Sequence, residues 1–255
     1  MSNLIETVPA AFNINRHSDV SEKYNFISSE EIMATFQEAN WLPSETSQVK
    51  SRKEGGRDFA KHLIRFRNPD IKTEVGGIIP EIVMLNSHDR SKAFELMAGL
   101  FRFVCANGMI VADSTFQSIK TRHSSLAPDR ITEGIAEIVD VVPQIMAKVD
   151  EMMALSLNPV DQLQLANNVV ESVWTDPKIR PLEPAQLLEY RRSDDNKNDL
   201  WTSYNRIQEN LIKGGLVGKT QTNRSKVQRG IKNIDKNVSV NRILWEETDR
   251  FLLAA

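Results

Sequence analysis

The sequence has very little cysteine and no long apolar run. Cys105 is the single cysteine among 255 residues, so no intrachain disulfide can form, which fits a reducing compartment. No apolar stretch approaches the roughly 20 residues that cross a bilayer. The segment 1–10 contains Glu6 and lacks the basic and apolar regions of a signal peptide. These absences predict a cytoplasmic protein with no membrane partner.

An excess of one sign of charge is also missing from the chain as a whole. The 32 Lys and Arg residues are balanced by 34 Asp and Glu residues, which gives a net charge of −2. Hydrophobic residues make up 40% of the chain, an ordinary value for a globular protein. Any affinity for nucleic acid must therefore come from a local cluster of cations.

One segment does carry a single sign of charge. Residues 210–234 contain no Asp or Glu and include four glycines, which we expect to add flexibility and exposed backbone N–H groups. This composition is typical of a loop that follows a nucleic-acid backbone through phosphate contacts, and the alternative is a mobile, solvated loop. The cations of this basic segment are Lys213, Lys219, Arg224, Lys226, Arg229 and Lys232.

Part of the basic segment resembles a nucleotide-binding loop. Gly214 and Gly218 precede Lys219 and Thr220, as in a phosphate-binding loop, but one residue is missing between the glycines. The element before them is predicted to be a helix, whereas such a loop follows a strand. We therefore expect no nucleotide site here.

Strand patterns occupy about residues 58–123. They predict an antiparallel sheet with strands near residues 59–67, 81–85, 100–105, 109–111 and 116–122. Before them, Ser28 and Glu31 form a capping box that predicts an N-terminal helix, and residues 44–57 are predicted to be a loop.

The chain after Pro128 has helical patterns. Apolar residues from Ile131 to Met153 repeat in steps of three and four, which predicts either a core helix or an oligomer interface, kinked or split at Pro143. Further helices are predicted after Asn158, after Glu183, over 199–213 and after a Ser239 cap.

These patterns predict an α+β protein. An antiparallel sheet (about 58–123) is packed with an N-terminal helix and a helical C-terminal half. Residues 1–27 are expected to form an irregular arm. Residues 28–255 are expected to form a single α+β domain, with a sub-boundary near 125–130 left open.

The predicted sheet carries its own cations. Period-2 alternation places Lys61, Arg65 and Arg67 on one face of the first strand, and it places Lys120 and Arg122 together on a later strand. These cations could line a groove for nucleic acid. Neighbouring aromatic residues could stack on bases or simply fill the core: Phe59, Phe66, Phe101 and Phe103.

Two further features could carry chemistry. His88 and Asp89 follow a predicted strand and could bind a metal or act as a general base, but a structural turn explains Asp89 equally well. The other histidines are scattered, so no metal-ligand spacing appears and no metal or cofactor is predicted. Cys105 lies among apolar residues and is interpreted as a buried thiol.

Four blocks of sequence occur in the order found in a known family. They cover residues 86–89, 99–109, 204–215 and 241–245, and the Arg102-x-x-Cys105-x-Asn107-Gly108 pattern is the most specific. In these blocks the chain resembles the phage/plasmid-like protein family known as domain of unknown function 932. The resemblance implies a gene from a mobile element in a bacterial host, and it transfers no catalytic residue.

Three functional hypotheses follow from the residues and this resemblance. The first is a non-enzymatic protein that binds nucleic acid, most of all single-stranded DNA in recombination or replication, as annealing proteins that form homo-oligomeric rings or filaments do. The second is an inhibitor of host defence that binds a host protein through the helix of residues 131–153 or through an exposed apolar patch. The third is a metal-dependent enzyme that uses His88 and Asp89.

Overall fold

The structure is a computed structural model, and it describes residues 2–15, 17, 26–51, 55–71, 78–102, 107–110, 119–121, 128–176, 180–220, 222 and 224–255. The chain divides into two compact units. The first comprises Met1–Ile110 and Ser114–Val142, and the second comprises Val111–Asp113 and Pro143–Ala255. Within the helical half the division falls at Val142/Pro143. The expected single domain over 28–255, with its open sub-boundary near 125–130, stays a prediction.

The first unit is built on an antiparallel sheet, which confirms the predicted α+β class. The sheet has six strands in the order β1-β2-β3-β4-β5, with β6 paired to β4. The strands are β1 (Leu42–Gln48), β2 (His62–Arg67), β3 (Ile78–Asn86), β4 (Phe94–Arg102), β5 (Asn107–Ile110) and β6 (Ile119–Thr121). Residues 103–106, which include Phe103 and Cys105, lie outside the described part of the chain.

Strand β1 lies where the sequence predicted the start of a loop. It pairs with β2 on one side and is largely exposed, so it has no apolar alternation by which it could be recognised. Pro43 is tolerated there because an edge strand leaves one row of backbone groups without ladder partners. The helix α2 (Ser29–Glu38) was predicted, and its Ser28 cap accepts a hydrogen bond from the Glu31 N–H at 3.2 Å.

The first described residues, 2–12, are mostly helical, whereas the sequence predicted an irregular arm over residues 1–27. Residues Ser2–Thr7 form α1, and a 3-10 turn follows over Pro9–Phe12. Ala10 is buried and its N–H donates to Gln48 Oε1 of β1 at 3.1 Å. The expectation failed because this short helix is held by contacts with β1, a strand that the sequence reading had not identified.

A long helix, α3 (Pro128–Ala154), crosses the division between the units. Pro143 does not split it: losing one backbone N–H removes one hydrogen bond, and the helix continues on both sides. The described side chains of its apolar seam are buried, as a core helix requires: Ile135, Ile138, Val142, Ile145, Val149 and Met152.

The second unit contains the remaining helices. They are α4 (Pro159–Val173), α5 (Pro184–Leu187), α6 (Leu200–Lys213) and α7 (Ile234–Ala254). The predicted Asn158 cap of α4 is confirmed, because its side chain accepts from the N–H groups of Val160 and Asp161. The predicted Ser239 cap is wrong: α7 begins at Ile234 and its cap is Asn233, whose Oδ1 accepts from the Lys236 N–H at 2.9 Å.

Most of the basic segment is folded as a β-hairpin and not as a loop. Strands β7 (Gly214–Lys219) and β8 (Ser225–Arg229) pair antiparallel, with Val217 opposite Val227. The hairpin directly follows α6, and residues 230–233 connect it to α7. None of the described helices combines the length and apolar character that crossing a bilayer requires.

Candidate functional site

The hairpin is fixed in place by close backbone contacts at its glycines. A Cβ at Gly218 would lie 1.9 Å from the Pro181 carbonyl oxygen, and the next residue, Lys219, donates its N–H to that same oxygen at 2.8 Å. Gly214 has a φ of 65° and would place a Cβ 2.6 Å from the Gln228 carbonyl oxygen. For Gly214 and Gly218 the prediction of added flexibility is therefore wrong, because these two glycines allow close packing, whereas a Cβ at Gly215 would meet open space.

The hairpin tip is also ordered by hydrogen bonds. The Thr220 N–H donates to the Arg224 carbonyl at 2.9 Å, and the Arg224 N–H donates to Thr220 Oγ1 at 3.1 Å. On β7, Gln186 Nε2 donates to the Val217 carbonyl at 2.9 Å. The described cations of the hairpin therefore extend from a hydrogen-bonded backbone.

Beside the hairpin lies an open cleft of about 650 Å³, which we call the hairpin cleft. Among the described residues that line it, four are cationic and none is acidic. It is lined by Trp174, Pro181, Lys219, Thr220, Thr222, Lys226, Val227, Gln228, Arg229, Ile231 and Lys236.

The hairpin and its flanks carry cations whose charge has no acidic partner. Six of these side chains are exposed, and within the described residues none forms an ion pair: Lys219, Arg224, Lys226, Arg229, Lys232 and Lys236. Five of these six cations were predicted from the sequence of the basic segment. Lys236 was missed because Asp235 ends the acid-free segment one residue before it.

Lys213 does not belong to this free set. Its Nζ lies 2.8 Å from Oε1 of Glu209, one turn earlier on α6, and Arg192 binds the same buried carboxylate. Lys213 is thus engaged with Glu209 within the fold, and its predicted contact with phosphate stays a prediction.

The cations of the sheet are also engaged within the fold. Arg65 Nη1 lies 2.6 Å from Glu81 Oε2, and Arg67 Nε lies 2.7 Å from Glu81 Oε1. The Arg65 and Glu81 side chains are 5% and 0% exposed, and the Arg67 guanidinium lies 3.5 Å from the centre of the Phe101 ring. Arg65 and Arg67 consequently do not line an open groove, which corrects the prediction.

The other sheet residues proposed for nucleic-acid contact give no groove in the described structure. Lys61 is half-buried and makes an interaction within the fold. Lys120 lies in β6 opposite Glu95, and Arg122 falls outside the described residues. Phe66 is buried and stacks on Phe36 of α2 at 4.3 Å between ring centroids, so it is a core residue.

His88 and Asp89 lie in a turn at the end of β3. His88 is fully buried, 4.6 Å from the Phe26 ring and 5.4 Å from the His62 ring. Burial raises the pKa of Asp89, but hydrogen bonds from Ser91 and Ser87 outweigh it, so the pKa is lowered overall. In the described ranges, no three His, Cys, Asp or Glu side chains gather as a metal site would need.

His62 belongs to a buried polar network between α2 and the sheet. Its Nε2 lies 2.8 Å from the Ser29 hydroxyl, which also accepts from Asn86 Nδ2 at 2.9 Å. Burial lowers the pKa of His62 to about 4, despite the opposing hydrogen bond with the Ala60 carbonyl. A neutral imidazole is therefore part of how this unit packs.

The resemblance to a nucleotide-binding loop is not reflected in the geometry. Gly214 to Lys219 form strand β7, and the chain turns back into β8 where such a loop would open a helix. The expectation of no nucleotide site is consistent with this arrangement.

Sequence reasoning missed Trp174 entirely. This residue follows α4, about forty residues before the hairpin along the chain, yet it lines the hairpin cleft. A local reading of the basic segment contains no signal for it, because the tertiary fold alone brings the two together.

Comparison with known proteins gives the family and not the activity. The chain is 34% identical over 249 residues to UPF0380 protein YafZ of Escherichia coli (strain K12), an alignment that covers 98% of this chain and 90% of YafZ. It is 33% identical to UPF0380 protein YfjQ of the same organism, with the same coverage. No solved structure matches the chain. The family model described as "Domain of unknown function (DUF932)" matches residues 16–245, and the chain therefore belongs to the DUF932 family.

Proposed function

We propose that this protein is a non-enzymatic binder of nucleic acid, with single-stranded DNA as the favoured ligand, acting in recombination or replication. The observation that carries the proposal is the hairpin cleft, which Lys219, Lys226, Arg229 and Lys236 line with no acidic residue among the described lining residues.

The energetics of these cations support the proposal. An exposed cation with no ion-pair partner gives up no protein contact when it meets a phosphate. It also releases counterions from the nucleic acid, which drives binding. Arg65, by contrast, would have to leave a buried carboxylate first. The net charge of −2 does not oppose this reading, because attraction at short range is set by the local cluster.

The two other hypotheses have less support. The helix face proposed as the contact with a host protein is buried within the fold, so it offers no binding surface. The metal-dependent enzyme would need an accessible His88, and that side chain is 0% exposed. The exposed Val217 and Val227 pair on the hairpin is the feature that a protein partner would use instead.

Binding and its salt dependence test the proposal. The measurement is fluorescence anisotropy of a labelled oligothymidylate titrated with the purified protein over a range of salt concentrations. The test variant is Lys219→Gln/Lys226→Gln. The control is Lys50→Gln/Lys197→Gln, which removes the same charge from two exposed lysines outside the hairpin cleft.

The wild-type protein should bind at low salt, with an affinity that falls steeply as salt is added. For single strands, each phosphate contact contributes about 0.7 to the slope of log affinity against log salt, so the test variant should lose about 1.4. The control should keep the wild-type slope. Absence of binding to both single and double strands at low salt would refute the proposal.

An annealing role would also require assembly on DNA. Analytical ultracentrifugation with and without oligothymidylate measures this directly. Rings or filaments should appear as large species in the presence of DNA, and they should be reduced for Lys219→Gln/Lys226→Gln and not for the control pair. A protein that stays monomeric when saturated with DNA would bind single strands without annealing them.

A further inference from the structure

Trp174 differs from the other tryptophans of the chain in its environment. Trp41 and Trp201 are 2% exposed and Trp245 is 0% exposed, whereas Trp174 is half-buried and lines the hairpin cleft. The chain has four tryptophans and the structure describes all of them. Trp174 is therefore the one large aromatic side chain among the described residues that line this cleft, and four cations line the cleft with it.

The backbone of Trp174 is held at both of its polar groups. Its N–H donates to the Val170 carbonyl at 2.9 Å, which ends α4, and its own carbonyl accepts from Arg180 Nε at 3.1 Å. Arg180 is in turn close to Glu171 of α4, with Nη1 3.4 Å from Oε1. The indole is thus attached to a fixed point, so little backbone entropy is lost when a ligand packs on it.

We propose that Trp174 is the stacking platform for an unpaired base, while Lys219, Lys226 and Arg229 hold the flanking phosphates. This inference rests on the proposed function and adds the residue that distinguishes single from double strands. An indole face gains from contact with the π-face of any base, so such a platform accepts every base. In a duplex the bases are already stacked on each other and are not available to the indole.

The arrangement has a consequence for specificity. Phosphate contacts alone bind single and double strands through the same charge and do not choose between them. Adding one aromatic platform within the cationic cleft favours the single strand without reading its sequence. One indole and a few cations form a small site, which fits one stacked base and a short stretch of nucleic-acid backbone.

Tryptophan fluorescence tests this role directly, because the other three indoles are shielded. Titration with oligothymidylate should quench the part of the wild-type emission that comes from Trp174. The emission that remains should then have the spectrum of buried tryptophan. The Trp174→Phe variant should lose the quenching and keep most of the affinity, since phenylalanine also stacks. Binding is followed in parallel by anisotropy of a labelled strand, so that binding and stacking are measured separately.

Affinity gives the second readout. Trp174→Ala should weaken single-strand binding by about 5- to 150-fold, the loss expected for one base–aromatic contact, and should leave duplex binding unchanged. The matched control is Tyr190→Ala, which removes an exposed aromatic residue of the same unit that does not line the hairpin cleft. Circular dichroism establishes that each variant is folded.

The outcomes separate this inference from the proposed function. If the wild type binds single strands and Trp174→Ala binds them equally well, the stacking role is overturned and the phosphate-binding role stands. Quenching that persists in Trp174→Phe also overturns it, because the signal would then come from another indole. If the wild type binds no nucleic acid, the proposed function itself fails.

Discussion

The sheet of the first unit and the hairpin of the second both concentrate cations, but they use them in opposite ways. In the sheet, Arg65 and Arg67 share Glu81, a carboxylate that is 0% exposed. In the hairpin, Lys226 and Arg229 are exposed and, among the described residues, have no acidic partner. The same residue types are therefore structural in one place and available to a ligand in the other.

The difference follows from what faces each strand. Arg65 and Arg67 are flanked by β3, and the antiparallel register β2–β3 brings Glu81 beside them. Opposite charges on neighbouring strands then pair across the sheet. Strand β8 pairs with β7, which carries glycines and Val217 but no acid. A cation-rich strand is a candidate binding surface only when its neighbour offers no carboxylate.

The largest expected effect comes from removing the shared carboxylate. Glu81→Gln leaves the buried Arg65 charge without its partner, and breaking a buried ion pair in this way costs about 3–5 kcal/mol. Urea denaturation followed by circular dichroism measures the change in the free energy of unfolding. The control is Glu45→Gln, whose carboxylate is 56% exposed and lies 3.9 Å from Arg65 Nε, and it should cost less than about 1 kcal/mol. Equal losses for both variants would show that Arg65 is not buried against Glu81.

The next effect tests the buried His62 of the same unit. Because burial lowers its folded-state pKa from 6.5 to about 4, the unfolded chain takes up the proton first as the pH falls. The stability that His62 contributes is thus complete above pH 6.5 and is lost between pH 6.5 and 4, by about 3 kcal/mol in all. His62→Gln removes this titration. The stability gap between wild type and variant, measured by urea denaturation at several pH values, should therefore narrow toward pH 4, and a constant gap would contradict the prediction.

An intermediate effect is expected at the glycine that seats the hairpin. Gly218→Ala forces a Cβ against the Pro181 carbonyl oxygen, which should cost about 1–3 kcal/mol and also weaken binding to oligothymidylate, because the hairpin cleft is displaced. The neighbouring Val217→Ala, at an exposed position, should cost less than about 1 kcal/mol and leave the hairpin in place. Denaturation and anisotropy on the same preparations measure both effects. Unchanged stability in Gly218→Ala would mean that the hairpin does not pack on Pro181.

Sequence reasoning identified the α+β class and the central strands because their apolar runs are long and bounded by turns. It missed β1 because an exposed edge strand has no apolar alternation. It expected the hairpin to be a loop because its glycines suggested flexibility, while the contact that requires Gly218 comes from Pro181, which is distant in sequence.

The candidate site was also identified only in part, because some partners of its residues lie outside the local sequence segment. Counting acids along the chain identified cations without local partners, and this worked for the hairpin. It failed for Lys213 because Glu209 lies one residue before the acid-free segment and one helical turn from Lys213. It failed for Arg65 because Glu81 is reached across strands and not along the chain. Trp174 lay beyond any local pattern.

The smallest expected effect on stability is the one that most directly tests the comparison. Lys226→Gln/Arg229→Gln removes two exposed charges with no ion-pair partner among the described residues, so the free energy of unfolding should change by no more than about 0.5 kcal/mol per substitution. The same variant should lose affinity for oligothymidylate and salt dependence, since it removes two of the cleft's cations. For this variant, urea denaturation should show nearly unchanged stability and anisotropy should show weaker binding. Glu81→Gln should show the reverse, because it loses stability while its folded fraction keeps the hairpin charges. A loss of stability in the hairpin variant comparable to that of Glu81→Gln would mean that its cations are structural as well, and the contrast between the two regions would fail.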